Sequence, residues 1–365
     1  MRTINLGAVV VWGALSASIA ACGGGGDGGD GGHAGSGGSG AQQSGTSGSA
    51  GTGPSSGSQA GSSQGGSSAT AECKVLTEGE TGAHGLTRVY KAEGFGAFYE
   101  AIGIDGDHFY FTADFMLMSY PLAGGTATEV GPYVGRRQVV RGGIAYGFKP
   151  GADGALGSMV SAPITDTATT TTLAESIAEP KFLIADDTAL YFDRLDPPSI
   201  FKVPLAGGPA EEIVPGGSPL GMISHLGNLY WLDFESRYLE RVPVAGGARQ
   251  RLAEVFFGGP MAADGDSIFW ADTSLNTVES WHEGATERQK LDTSSDVFAK
   301  PAGVTIVGDA VYWVAGNRCG EVHRVKKDGT GKELYTQGTP GADWVGVAGG
   351  VLFVLGGGGL YRVDL

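Results

Sequence analysis

The groups in this 365-residue chain that could do chemistry are six histidines, a few Asp-Gly-Asp pairs, three cysteines and a scatter of Arg, Lys and aromatic residues. Histidine serves as a general base or a metal ligand, but either role needs convergence with other groups. His108 and His225 stand in turns before apolar strand-like runs, where an exposed polar residue is expected. His282 and His323 fall in later strands, His84 near the N-terminal edge and His33 in a Gly-rich stretch, so no three converge and no metal is assigned. Asp105-Gly106-Asp107 and Asp264-Gly265-Asp266 look like the opening of a calcium loop. Such a loop needs further oxygen ligands over about 12 residues and a closing Glu, whereas here the chain runs straight into an apolar strand, so both read as hairpin turns. No His-Glu-x-x-His, Cys-x-x-Cys, Gly-Lys-Ser/Thr phosphate loop or Gly-x-Ser-x-Gly elbow occurs. That absence argues against the motif-bearing enzyme classes only, because a site assembled from distant segments leaves no local motif.

The elements that would position such groups repeat. Leu190-Tyr191-Phe192-Asp193, Leu229-Tyr230-Trp231-Leu232-Asp233, Ile268-Phe269-Trp270-Ala271-Asp272 and Val311-Tyr312-Trp313 recur, with steps of 39, 39 and 43 residues between the central aromatics. Each follows a short apolar stretch and a turn of Asp, Gly or Asn, and each precedes a polar loop and a further strand such as Ile200-Phe201-Lys202-Val203-Pro204. Four short strands in about 40 residues make one propeller blade. Weaker copies centre on Tyr110, Tyr146 and Phe353. The expected fold is therefore all-β, a seven-bladed β-propeller, with six blades as the runner-up if the Tyr146 unit is an elaborated loop. The last unit stops at Leu365 without an outer strand, and Leu86 to Lys91 before the first full unit is expected to supply it.

The aromatic anchors resemble the Tyr-Trp-Thr-Asp (YWTD) propellers of the low-density-lipoprotein-receptor type, and Val203-Pro204-Leu205-Ala206-Gly207-Gly208 resembles turns of related bacterial secreted propellers. The resemblance covers roughly residues 98 to 365. Asp193, Asp233 and Asp272 match that family's Asp, whereas Ala315 and Leu355 fall near its place in blades six and seven. It implies an architecture that serves binding modules, scaffolds and enzymes alike.

In propellers, ligand contacts come mainly from the connections leading into the innermost strands and from the loops after the second strands. Here the connections carry Phe95, Tyr99, Arg136, Arg137, Lys181, Lys300, Asp343 and Trp344; the loops carry Glu235, Arg237, Tyr238, Asn276, Asn317 and Arg318. Arg and aromatic side chains together suit a binding surface, so the candidate face is Arg136, Arg137, Lys181, Tyr238, Lys300, Arg318 and Trp344. The loop Lys149 to Ser158 is longer than its counterparts, as functional loops often are.

The N-terminal end places the chain. Residues 1–21 read as a lipoprotein signal peptide: Arg2 precedes a short apolar run, and Ile19-Ala20-Ala21-Cys22 looks like a bacterial lipobox whose Cys22 is acylated. Residues 22–71 are rich in Gly and Ser and read as a disordered tether, which spans roughly 40 Å on coil scaling. The propeller domain is assigned to 72–365. Gly23 after the lipid site favours the outer membrane of a bacterial envelope. Removing Arg2, Asp27 and Asp30 leaves 23 basic and 37 acidic residues, a net of −14. That sign disfavours nucleic acid and anionic lipid. In an oxidising compartment the remaining Cys73 and Cys319 are expected to pair.

The reading is a monomeric, lipid-anchored envelope propeller that binds or scaffolds a protein, peptide or glycan, with no catalytic residue and no cofactor. The alternative is a propeller hydrolase or lyase, lactonase-like or strictosidine-synthase-like, with its site on the central channel.

Overall fold

The computed structural model describes residues 75–91, 100–152, 156–294, 300–316, 319–357 and 359–365. The expected signal peptide and tether, Cys22, Cys73, Phe95, Tyr99, Asn317 and Arg318 lie outside the described residues.

Seven four-stranded antiparallel sheets form seven blades in a ring, as the repeat predicts. Within a blade the strands follow chain order from the innermost outward: blade four runs Pro219–His225, Asn228–Asp233, Tyr238–Pro243 and Gln250–Glu254. Tyr110, Tyr146, Tyr191, Tyr230, Phe269, Tyr312 and Phe353 all sit in second strands and are buried. The Tyr146 unit is a full blade, Arg136–Arg141, Ile144–Lys149, Gly157–Pro163 and Thr171–Ile177, which decides the count in favour of seven.

The aromatic pairs recur because the core lies between blades. Successive residues of a strand point to opposite sheet faces, so two adjacent aromatics fill two different interfaces. Tyr230 packs with Trp270 and Trp281 of blade five, while its neighbour Trp231 packs with Tyr191 and Ile200 of blade three. Tyr312 likewise faces Val354 and Tyr361 of blade seven, while Trp313 joins Phe269 of blade five. Phe109 and Phe111 of blade one meet Trp344 and Phe353 of blade seven, so the apolar contact continues across the ring closure. Around the axis the innermost strands approach so closely that small residues are required: a Cβ on Gly221 would lie 2.1 Å from the carbonyl oxygen of Gly259 in the next connection.

Blade seven is closed from the other end of the chain. Thr87–Tyr90 pairs antiparallel with Gly359–Asp364, matching Thr87 with Arg362 and Arg88 with Tyr361, beside Val351–Gly356 and the innermost Ala342–Ala348. The segment before it is tied down as well. Leu76 and Leu86 are buried among Tyr312 and Val322 of blade six and Tyr361 of blade seven. The Arg88 guanidinium donates to the carbonyl of Leu76 at 3.1 Å, and the Thr336 hydroxyl to that of Ala83 at 3.0 Å. In a closed ring of this kind the innermost edge of each blade faces the axis, and only short, protected edges remain.

Candidate functional site

The face that receives the inbound connections is built on buried carboxylates at the ends of second strands. In blade three, Asp193 Oδ1 accepts the N–H groups of Lys181 and Phe182 at 2.8 and 2.7 Å. In blade four, Asp233 accepts from Ser218 N at 3.0 Å, from the Trp231 indole at 3.0 Å and, across the loop, from Ser236 N at 2.8 Å. In blade five, Asp272 takes Phe257 N at 3.0 Å and Ser274 N and Leu275 N at 2.9 Å each. Each carboxylate thus fixes the segment entering its own blade, and in blades four and five it also fixes the loop leaving the second strand. Blade six, with Ala315 at this place, makes do with a backbone bond from Gly316 N to Lys300 O at 3.3 Å. Its Trp313 indole turns instead to Asp292 of blade five at 3.3 Å.

Most of the described candidates reach this face. Arg136 opens the innermost strand of blade two, is exposed, and is neutralised by Glu179 of the inbound connection to blade three at 2.8 Å. Arg137 follows it with φ of 54° and a half-buried side chain. Lys181 is half-buried with its ammonium 5.1 Å from the Phe182 ring centre. Burial pushes the Lys181 amine down; Asp193 opposes that, and the positive charge of Arg137 adds to it. Arg137 and Lys181 are therefore electrostatic neighbours, and among the described residues neither makes an ion pair. Lys300 is exposed just before the innermost strand of blade six. Tyr238 begins the third strand of blade four, farther from the axis, under the Arg251 guanidinium at 5.3 Å.

Trp344 does not belong to the face. It is 5% exposed and packs on Phe109 at 5.1 Å, inside the interface of blades seven and one. A bulge between Ala342 and Trp344 leaves Asp343 as the extra residue. Its carboxyl is pushed up to about 7 by burial.

The same face carries apolar side chains that the polar candidates overshadowed. Phe115 (60% exposed) and Leu195 (61%) cap the second-strand loops of blades one and three. Phe234 and Leu275 do so in blades four and five, and Phe256 (51%) lies on the connection between those two blades. Their sequence signal is a large apolar residue inside a loop of turn formers, as in Asp114-Phe115 and Asp233-Phe234-Glu235-Ser236.

The opposite face, made of the hairpins joining first and second strands, is stitched from blade to blade. Asp105 accepts the N–H groups of Gly142 and Gly143 at 2.9 and 2.6 Å, Arg141 pairs with Asp187 at 2.5 Å, His225 meets Gly265 O at 2.7 Å, and Lys327 pairs with Asp264. The Asp-Gly-Asp turns thus act as ties between neighbours. Asp186 belongs to this set: burial alone would raise its carboxyl, yet hydrogen bonds from Thr188, Tyr191 and Ala189 hold it below the usual carboxylate range. Among the described residues no three His, Cys, Asp or Glu side chains come together as a metal site. A groove of about 340 Å³ lies at the closure seam, between Arg88, Tyr120 and Arg362.

Fold and site define the chain as a seven-bladed β-propeller with a mixed basic and apolar face. No protein-family profile matches it, and no curated protein matches it by sequence. Among solved structures it is similar to the extracellular domain of a one-component system from B. thetaiotaomicron, with a TM-score of 0.57 and 8% identity over 76% of this chain and 39% of that one. It is similar to the computationally designed Ika8 protein at a TM-score of 0.50 and 11% identity, over 80% of this chain and 99% of that one. A chain of a nidogen/laminin complex matches at a TM-score of 0.42 and 19% identity, over 55% of this chain and 83% of that one. At these identities the likeness is one of fold.

Proposed function

We propose that this chain is a lipid-anchored propeller of a bacterial envelope that acts as a non-catalytic binding module, taking an anionic group of a protein, peptide or glycan on the face of the inbound connections. The observation that carries this reading is that Arg137 and Lys181, both half-buried, feel each other's positive charge and make no ion pair among the described residues, although the Asp193 carboxylate also acts on Lys181. A domain with a net charge of −14 has many carboxylates to offer, so two mutually repelling cations without an ion pair are a local departure suited to an outside anion. The second-strand clamps at Asp193, Asp233 and Asp272 support a YWTD-like reading of the repeat. Titration of the full chain with hexaglutamate and with an oligogalacturonate tests the reading. Saturable binding of either is expected, weakened roughly tenfold or more in R137A/K181A and little changed in R136A, whose cation is already paired. Equal binding by wild type and the double variant would refute it; turnover of a lactone or ester by the purified chain would favour the hydrolase instead.

Acylation of Cys22, the outer-membrane location, the monomeric state and a Cys73–Cys319 bridge are part of the same proposal. For the bridge, Leu76 and Val322, each three residues downstream of one cysteine, are packed in one core cluster. Intact mass before and after reduction reads both modifications: a mature mass lacking lipid rejects the anchor, and two alkylatable thiols without reductant reject the bridge.

A further inference from the structure

Four side chains from three separate connections lie on the face between blades four and five. Phe234 comes from the loop after the second strand of blade four, Phe256 and Phe257 from the connection into blade five, and Leu275 from the loop after the second strand of blade five. Phe234 and Phe257 meet edge to face, with ring centres 5.7 Å apart. Arg237, held at φ of 61°, lays its guanidinium over both rings at 5.2 and 5.3 Å and donates to Phe256 O at 2.6 Å. The Arg288 guanidinium lies 5.4 Å from the Phe256 ring centre while pairing with Glu279 at 2.8 Å.

We infer that a protein partner docks on this cluster, inserting an apolar side chain beside Phe256 and Leu275 and setting a carboxylate on Arg237. The inference rests on the reading of this face as the binding face and names the partner it receives. Three observations carry it. The loops are fixed before any partner arrives, since Asp272 holds Phe257 N and Leu275 N, and Asp233 O accepts from Arg237 N at 3.0 Å. Little ordering entropy then remains to be lost on association. The composition, large aromatics with arginine at the centre of a patch, is that of energetic hot spots in protein interfaces. The charge is complementary: Arg237 is exposed and has no ion pair among the described residues, on a domain of net −14. An anionic bilayer is disfavoured by the net charge and by exposed Glu235 next to Phe234.

The test pans a random dodecapeptide phage library on the immobilised full-length chain and titrates the enriched peptides as synthetic compounds. Peptides that place an Asp or Glu within a few residues of an aromatic or aliphatic residue are expected. Their affinity should fall roughly tenfold or more in F256S and in R237A, with unchanged melting curves, and should survive R137A/K181A. L275S serves as a second variant at an exposed position if F256S is altered in fold. Peptides that ignore all three substitutions would overturn the inference, as would a library yielding no saturable binder. Peptides that need Arg137 and Lys181 but not Phe256 would overturn it while leaving the earlier reading intact. Binding of phosphatidylcholine vesicles abolished by F256S would overturn it in favour of a membrane.

Discussion

Asp193 Oδ1 receives the backbone N–H of Lys181 at 2.8 Å, so the carboxylate ending one strand of blade three fixes the residue whose ammonium opens the candidate anion site. Burial pushes the Asp193 carboxyl up, and its two backbone donors draw it partway back. Replacing it with Ala strands two inward-facing N–H groups. D193A is expected to lose about 1 to 3 kcal/mol in denaturant unfolding and to weaken hexaglutamate binding. D193N keeps an acceptor oxygen there without the buried charge and should retain both properties.

The Lys181 amine is held down by burial, with Arg137 adding to the effect. An anion bound there is released as pH rises through that lowered value, before an ordinary lysine would deprotonate. Hexaglutamate affinity is therefore expected to fall at a pH below the usual lysine range in wild type. The fall should be absent in K181R, whose guanidinium stays charged; a profile identical in the two proteins counts against Lys181 as a ligand.

Asp343 shows the same cause, burial, acting in the opposite direction. Its carboxyl is raised from 3.8 to about 7 by burial. Between those pH values the folded chain holds a proton that the unfolded chain has released, so stability falls as pH rises across the window and levels off above it. D343N carries no titrating group, and its Tm should match wild type near pH 4 and exceed it at pH 8. Parallel Tm curves for the two proteins would place the ionised carboxylate in water.

How far such residues were legible in sequence depends on periodicity. The ring of seven could be read because each adjacent pair, such as Tyr230 and Trp231, must satisfy two interfaces at once, which forces large residues to recur at a constant interval. The closing strand at Thr87–Tyr90 was legible from the strand missing after Leu365. Trp344 was misplaced because a bulge shifts the innermost strand by one residue: side chains alternate with period two, so the shift leaves Asp343 as the extra residue and sends the indole into the core. The pairing of Arg136 with Glu179 was hidden for another reason, since it links residues 43 apart on two blades and only the ring's geometry brings them together. Phe234 and Phe256 escaped because neither belongs to the repeated pattern, and a lone loop aromatic carries no periodic signal.

The closing strand also has an energetic prediction. Without residues 75–91 the chain loses the partner of Gly359–Asp364 and the buried Leu76 and Leu86, opening an edge next to the seam. Burying two leucines is worth several kcal/mol, and an unpaired edge invites association. A variant lacking residues 1–91 is expected to melt well below one lacking residues 1–72, and to elute as larger species on size exclusion.

The Arg249 network of blade four should behave as a unit. Asp233 and Glu240 are fully buried; Arg249 reaches Asp233 at 3.2 Å and also contacts Glu240, while Arg251 and Ser236 meet Glu240 at 3.3 and 2.7 Å. Arg249 additionally lies over the Trp231 ring at 5.4 Å, tying the network to the interface of blades three and four. Removing the arginine alone leaves two buried carboxylates without their shared cation, and R249M is expected to lose about 3 kcal/mol. E240Q keeps the hydrogen-bonding shape and should lose less. In the double variant the stranded charge on Glu240 is gone and only that of Asp233 remains, so its loss should fall short of the sum of the single losses by more than about 0.5 kcal/mol. Additive losses in urea unfolding would show that Arg249 acts on the two carboxylates independently, and that the clamp at Asp233 stands without it.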